Sequence, residues 1–304
     1  MPTPIPPGAP RADAVRAPAP DLQAEAGRIA ERVRREVSGA VSPERIDSEL
    51  SLLNRFAEHD DVDVVVGPVL AGIVAAALLA ARLTSGLADP TTGASAWRAQ
   101  DGLTPLPAPG IGRIALDPCT RRLRMGRGTV LDLAPVADAW AADRTVQVFA
   151  ESFPGQALVA EVGGAFAVGG PAAAAAALVG SAPPGPVPGP SWGAGPGTDA
   201  GVLVGLVGRG HRGLAVLEGP ARDLVNPVTG AAVVSPWDRV VVAARSAVEA
   251  QAYARAAHVL GREAPGWVAA CGADGEFAGT RPGSTLRRRL RTPGWPVRAG
   301  RTPA

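Results

Sequence analysis

The sequence predicts an α+β fold, and three observations carry that prediction. Short stretches of alternating apolar and polar residues mark strands in the middle of the chain, and long apolar-striped segments near both ends read as helices. The two kinds of element do not alternate regularly, which disfavours a parallel α/β sheet. Of the 304 residues 46% are apolar and only 4% aromatic, so Ala, Val and Leu must fill the core.

The elements follow in order. Residues 1–20 are rich in Pro and Ala and predict a disordered leader. Asp21 is placed to cap a helix running to about Val37, with Gly39 as its stop. Ser42-Pro43 predicts the start of a second helix through Phe56, with Leu50, Leu53 and Phe56 at helical spacing. Val64 to Ala81 is an uncharged run of 18 residues closed by Asp63 and Arg82. Its Val/Ala content, Gly67, Pro68 and Gly72 predict a buried core helix, with a single-pass anchor as the alternative.

Residues 111–133 predict short strands broken by Pro118 and Gly126–Gly128, and a helix follows from Ala134 to Ala150. Gln156 to Val168 predicts a hairpin turning at Gly163-Gly164. Pro171 to Gly201 is low-complexity and predicts a mobile loop. Strands are expected at Val202–Val207, Leu214–Leu217 and Arg239–Ala244, then an Ala-rich helix from Ala247 to Leu260. The domain is thus expected over 21–278, with an Arg/Pro-rich tail over 279–304 in which Arg287–Arg289 are solvated.

Composition excludes several functions. Every basic residue is Arg, so no lysine nucleophile or Schiff base is available. A net charge of +2 argues against nucleic-acid binding. Cys119 and Cys271 lack metal-ligand spacing and suit a reducing compartment. No apolar signal segment interrupts the first residues, so the expectation is a cytoplasmic protein that does not engage the membrane.

Four stretches put polar groups at the rim of a core. They are Thr84 to Gly93, Leu131 to Asp143, Ala157 to Gly164 and Val225 to Gly230. Alone, the loop Asp89-Pro90-Thr91-Thr92-Gly93 reads as structural, and Asp132 as a strand end capping the next helix. Together with Asp47-Ser48-Glu49-Leu50-Ser51-Leu52-Leu53-Asn54, their order and spacing resemble the FAD:protein FMN transferase (ApbE-like) family, particularly its Arg-rich actinobacterial members. The resemblance spans roughly residues 22–275 and implies one domain with two lobes around a nucleotide cleft.

It also implies an activity: Mg²⁺-dependent transfer of FMN from FAD to a Thr or Ser of an acceptor flavoprotein, with release of AMP. By resemblance Asp132 holds the flavin nucleotide, and Asp138 stands where relatives carry Lys or Glu. Gly163 and Gly164 let the backbone approach the dinucleotide, with Glu161 and Ala165 where relatives carry Asn and Asp. Val225 lies at the cleft, and Asp223 takes the position of the family's His as candidate base. The metal positions fall on the Pro135 carbonyl, Gln251 and Arg255; the last cannot ligate a cation. On its own, the row Gln251, Arg255 and His258 reads equally as a helix's solvent face, and the guanidinium is alternatively a direct pyrophosphate clamp. With metal and base positions substituted, the expectation is transfer at a reduced rate. The alternative is a nucleotide-binding or scaffold homologue without catalysis. His59 and His211 receive no role.

Overall fold

The computed structural model describes residues 14–16, 19–180, 205–219, 224–280 and 287–296. Its centre is a seven-stranded antiparallel sheet with strand order β1-β5-β6-β7-β8-β9-β10. These strands are β1 (Ala14–Arg16), β5 (Leu158–Val162), β6 (Ala165–Gly169), β7 (Gly213–Glu218), β8 (Arg239–Ala244), β9 (Asp274–Thr280) and β10 (Arg287–Arg291). A second sheet, ordered β2-β4-β3, is built from β2 (Val62–Val65), β3 (Ile114–Asp117) and β4 (Arg122–Met125). The α+β expectation holds.

Strand β8 shows how the sheet is covered. All six residues are buried, and the period of two sends them to opposite layers. Val240 and Val242 pack with Tyr253 and Ala257 of helix α7 (Ala247–Leu260). Val241 and Ala243 pack with Ala175 and Leu178 of α6 (Ala172–Gly180) and with Trp295. The larger core joins α1 (Pro20–Val41), α2 (Glu49–His59), α3 (Pro68–Leu83) and α5 (Ala134–Ser152). The shorter helices are α4 (Gly93–Gln100) and α8 (Ala264–Ala270).

Several expected boundaries move. Pro20 rather than Asp21 opens α1, and the helix runs through Gly39 to Val41 because Ala40 and Val41 are buried in the core. Ser48, not Ser42, caps α2, its hydroxyl accepting from Ser51 N at 3.2 Å. The 18-residue apolar run divides: Val62–Val65 pairs with Arg122–Met125, and Gly67-Pro68 start α3. Among the described residues no helix is long and apolar enough to cross a membrane.

The expected loop at 171–201 begins as helix α6, and 205–208 are helical where a strand was expected; 181–204 lie outside the described residues. Two strands also come from beyond 21–278. Ala14–Arg16 pairs with Val159–Glu161, and Arg287–Arg291 pairs with Glu276–Thr280. The latter strand is not a solvated tail, because Arg289 and Arg291 reach the buried Glu276.

Candidate functional site

Helix α2 is the first fixed point. With Ser48 capping it, Asn54 lands about 1.7 turns along and brackets Leu131. Its Oδ1 accepts from Leu131 N and its Nδ2 donates to Leu131 O, both at 2.9 Å. The same segment is held from the other side: Asp132 N donates to Pro90 O at 2.8 Å and Gly93 N to Val130 O at 3.2 Å. Two of the polar stretches and the Asp47–Asn54 motif are therefore laced together. Between α2 and residues 131–134 opens a cavity of about 300 Å³, lined by Leu50, Ser51, Asn54, Arg55, Asp132 and Ala134 among others. That is the lower end of ligand-pocket sizes, room for part of a dinucleotide.

Leu133 precedes α5 without any side-chain cap, so Asp132 does not cap this helix. Pro135 occupies the first turn of α5 and Asp138 the next. Asp138 lies against the β5–β6 turn: a Cβ on Gly163 would stand 2.0 Å from its Oδ2. Gly163 also holds φ at 56°, which favours glycine, so the turn's closeness to this carboxylate depends on the missing side chain. Ala165 and the buried Glu161 flank the turn.

The loop Val225 to Gly230 packs on residues 106–108. Val225 bridges Ala232, and Asn226 Oδ1 accepts from Val228 N at 2.9 Å. Pro227 O accepts from Ala108 N at 2.8 Å, and Gly230, at φ 72°, approaches Leu106 so closely that a Cβ would overlap its carbonyl. Leu106 O accepts from Ser95 Oγ, and Gly110 N donates to Thr91 Oγ1. Residues 106–110 thus tie this loop to the Asp89–Gly93 loop. Asp223 lies outside the described residues.

Helix α7 supplies Gln251, Arg255 and His258. Asp143 of α5 positions this helix, accepting from Ala247 N at 2.9 Å and Val248 N at 3.1 Å. Burial pushes the Asp143 carboxyl up to about 6 against the pull of those two amides. Gln251 and His258 are 6% and 2% exposed, so the row is not a solvent face. Burial, then the neighbouring Arg255 cation, lowers His258 to about 4. Arg255 is partly buried; burial lowers its pKa, and the Asp132 carboxylate counters that as the attracting charge.

Gln251 Oε1 and His258 Nδ1 are buried without a hydrogen-bond partner among the described residues. Gln251 offers the only neutral side-chain oxygen among the three expected metal positions, the Pro135 donor is a backbone carbonyl, and Arg255 adds a permanent cation. Among the described residues no three His, Cys, Asp or Glu side chains are grouped as ligands. A hard divalent ion needs several anionic or carbonyl oxygens, and this donor set does not fit one.

Of the residues named from the sequence, Asp132 lines the cavity, Asp138 meets the Gly163-Gly164 turn, and Val225 lies in the loop that packs on residues 106–108. Sequence reasoning assigned no role to Asn54 or Asp143. Asn54 was visible as the end of the Asp47–Asn54 motif; Asp143, 104 residues from its partner, carried no local signal.

No curated protein matches the chain significantly. Among solved structures it resembles the flavin transferase ApbE of Vibrio cholerae, 18% identical over 92% of this chain and 91% of that one, with a TM-score of 0.63. The ApbE protein of Thermotoga maritima is 17% identical over 92% and 93%, with a TM-score of 0.66. The flavinyl transferase ApbE of Pseudomonas stutzeri is 17% identical over 92% and 88%, at 0.63. At these identities the likeness establishes the fold. The ApbE family model matches residues 13–275, and the chain belongs to the ApbE family.

Proposed function

We propose that the protein transfers FMN from FAD to a Thr or Ser hydroxyl of an acceptor flavoprotein and releases AMP. The observation that carries this reading is the bracketing of the Leu131–Asp132 segment by Asn54 on one side and the Asp89–Gly93 loop on the other, with Asn54 and Asp132 in the wall of a cavity. Similarity to structures described as flavin transferases supports the class of chemistry.

In the reaction the acceptor oxygen attacks the FMN phosphorus. A new P–O bond forms, the bond to the bridging oxygen breaks, and AMP leaves with that oxygen. The hydroxyl proton must go to a base, for which Asp223 is the candidate; a carboxylate is a weak base at neutral pH, consistent with a slow reaction. Such a transfer demands positioning and charge neutralisation more than covalent help. Asp132 and Asn54 shape the cavity, while the Gly163-Gly164 turn admits the dinucleotide beside Asp138.

The test is to incubate the whole chain with FAD and a Thr- or Ser-containing acceptor peptide. AMP and a peptide heavier by the FMN group are expected. FAD binding with neither product would leave a nucleotide-binding homologue instead.

A further inference from the structure

Of the three polar side chains that α7 turns inward, none makes a hydrogen bond or ion pair to any described residue. Gln251 Oε1 and His258 Nδ1 are buried and unpartnered. Arg255 has no carboxylate within ion-pair distance among the described residues, and its one attracting charge is Asp132, at the cavity wall. A shielded cation without close hydrogen bonds is costly, and most folds either pair it or replace it. The whole row is also pinned from outside: Asp143 holds the N-terminus of α7 and Ser246 caps it, its hydroxyl accepting from Glu249 N at 3.1 Å. The helix is fixed, and Gln251, Arg255 and His258 are left without partners among the described residues.

We propose that Arg255, assisted by the Gln251 amide, is a metal-independent clamp for the pyrophosphate of a nucleotide. This rests on the reading that the cavity takes a dinucleotide. The guanidinium is planar, permanently charged and carries five N–H donors, which match two phosphate oxygens at once. One turn away, the Gln251 amide presents its N–H₂ group to the same ligand after a half-turn about its last bond. His258 is neutral at physiological pH, so Arg255 is the single cation of the row. A divalent ion placed here would be repelled by that cation, whereas a diphosphate is drawn to it. Asp132 opposes a bare anion, so the clamp favours a nucleotide, whose hydroxyl and amino donors engage Asp132, over inorganic pyrophosphate.

Calorimetric titration of ADP and of inorganic pyrophosphate into the whole chain, in EDTA and in Mg²⁺, tests this. ADP is expected to bind in EDTA to within about twofold of its affinity in Mg²⁺, and pyrophosphate more weakly than ADP. Arg255→Gln is expected to weaken ADP about 10- to 100-fold, the range for losing a charge-assisted hydrogen-bonded contact. Arg255→Lys keeps the charge without the fork and should fall between. Arg35→Gln, on exposed α1 surface, should change nothing. The wild-type comparison in EDTA needs no variant to fold. ADP binding that appears only with Mg²⁺, or no ADP binding in either buffer, overturns the clamp, as does an unchanged affinity in folded Arg255→Gln. The transfer assay separates the two ideas. Binding in EDTA with no AMP release from FAD under any condition sinks the transferase and leaves the clamp. Transfer abolished by EDTA sinks the clamp and leaves the transferase.

Discussion

Two regions bury charged and polar groups, and they treat them in opposite ways. At the β8–β10 edge of the large sheet, Glu276 is 1% exposed and is met by Arg291 at 2.7 Å, Arg239 at 3.4 Å and Arg289 at 3.7 Å. Nearby Asp274 accepts from Arg209 at 3.1 Å and Thr292 at 3.0 Å and pairs with His211 at 2.9 Å. Along α7, by contrast, Gln251, Arg255 and His258 have no such partners among the described residues. A folded chain that satisfies polar groups in one place and not in another separates what holds it together from what it keeps for a ligand. The same helix carries both demands, since its apolar face packs Tyr253 and Ala257 on the sheet.

The largest effect should come from breaking the satisfied region. Glu276→Ala removes a charge shared by three arginines and should cost about 3–5 kcal/mol, the usual toll of removing one partner from a buried ion cluster. Urea unfolding measures it. ADP affinity per folded molecule should stay unchanged, and a loss of affinity equal to the loss of stability would erase the distinction between the two regions.

The next effect is hidden by cancellation. Burial pushes the Asp143 carboxyl up to about 6 from its ordinary 3.8, so the folded state takes up its proton first. Its contribution to stability therefore grows as pH falls from about 6 to about 4, by up to about 3 kcal/mol. His258, lowered to about 4 from 6.5, behaves oppositely: the unfolded state takes up its proton first, and stability falls over nearly the same window by a similar amount. Wild type should show little net change from this pair between pH 6.5 and 4. Asp143→Asn should lose stability in acid, and His258→Phe should gain it. Parallel pH profiles for the two variants would show that the helix does not carry both strains.

These examples also show what a sequence makes legible. The β5–β6 hairpin and helix α7 were readable because their signals are local: paired glycines at a turn, and an Ala-rich helical run after a strand. The edge strands were not, since Ala14–Arg16 and Arg287–Arg291 owe their pairing to neighbours far along the chain. The start of α2 was misplaced because Ser42-Pro43 imitates a helix start while Ser48 makes the capping bond. At the site, the sequence left two readings of Arg255 open, a helix's solvent face and a direct pyrophosphate clamp, and the burial of its neighbours Gln251 and His258 removes the first. The oddity of Arg255 is its unpaired burial, a property of the folded helix rather than of the residue.

A smaller effect sharpens the site itself. Gly163→Ala would force a Cβ onto the Asp138 carboxylate and keep φ at 56°, which should cost about 1–3 kcal/mol in thermal stability. Adding Asp138→Ala removes the steric part and leaves the backbone part. Recovery in the double variant, read as a coupling energy, checks that the turn and the carboxylate touch. Strict additivity would mean they do not.

The smallest expected change has the opposite sign. Gln251 is buried with its Oε1 unpartnered, so it spends desolvation without a hydrogen bond in return. Met is close to Gln in shape and has no amide to satisfy, so Gln251→Met should raise stability by about 0.5–1.5 kcal/mol. A group retained for stability would respond the other way. The variant should also lose ADP affinity several-fold, because the clamp loses one of its two members. A stabilised chain with weaker ADP binding places Gln251 among residues kept for a ligand at the fold's expense. A destabilised chain with unchanged binding would return Gln251 to the core, and the contrast between α7 and the Glu276 edge would disappear with it.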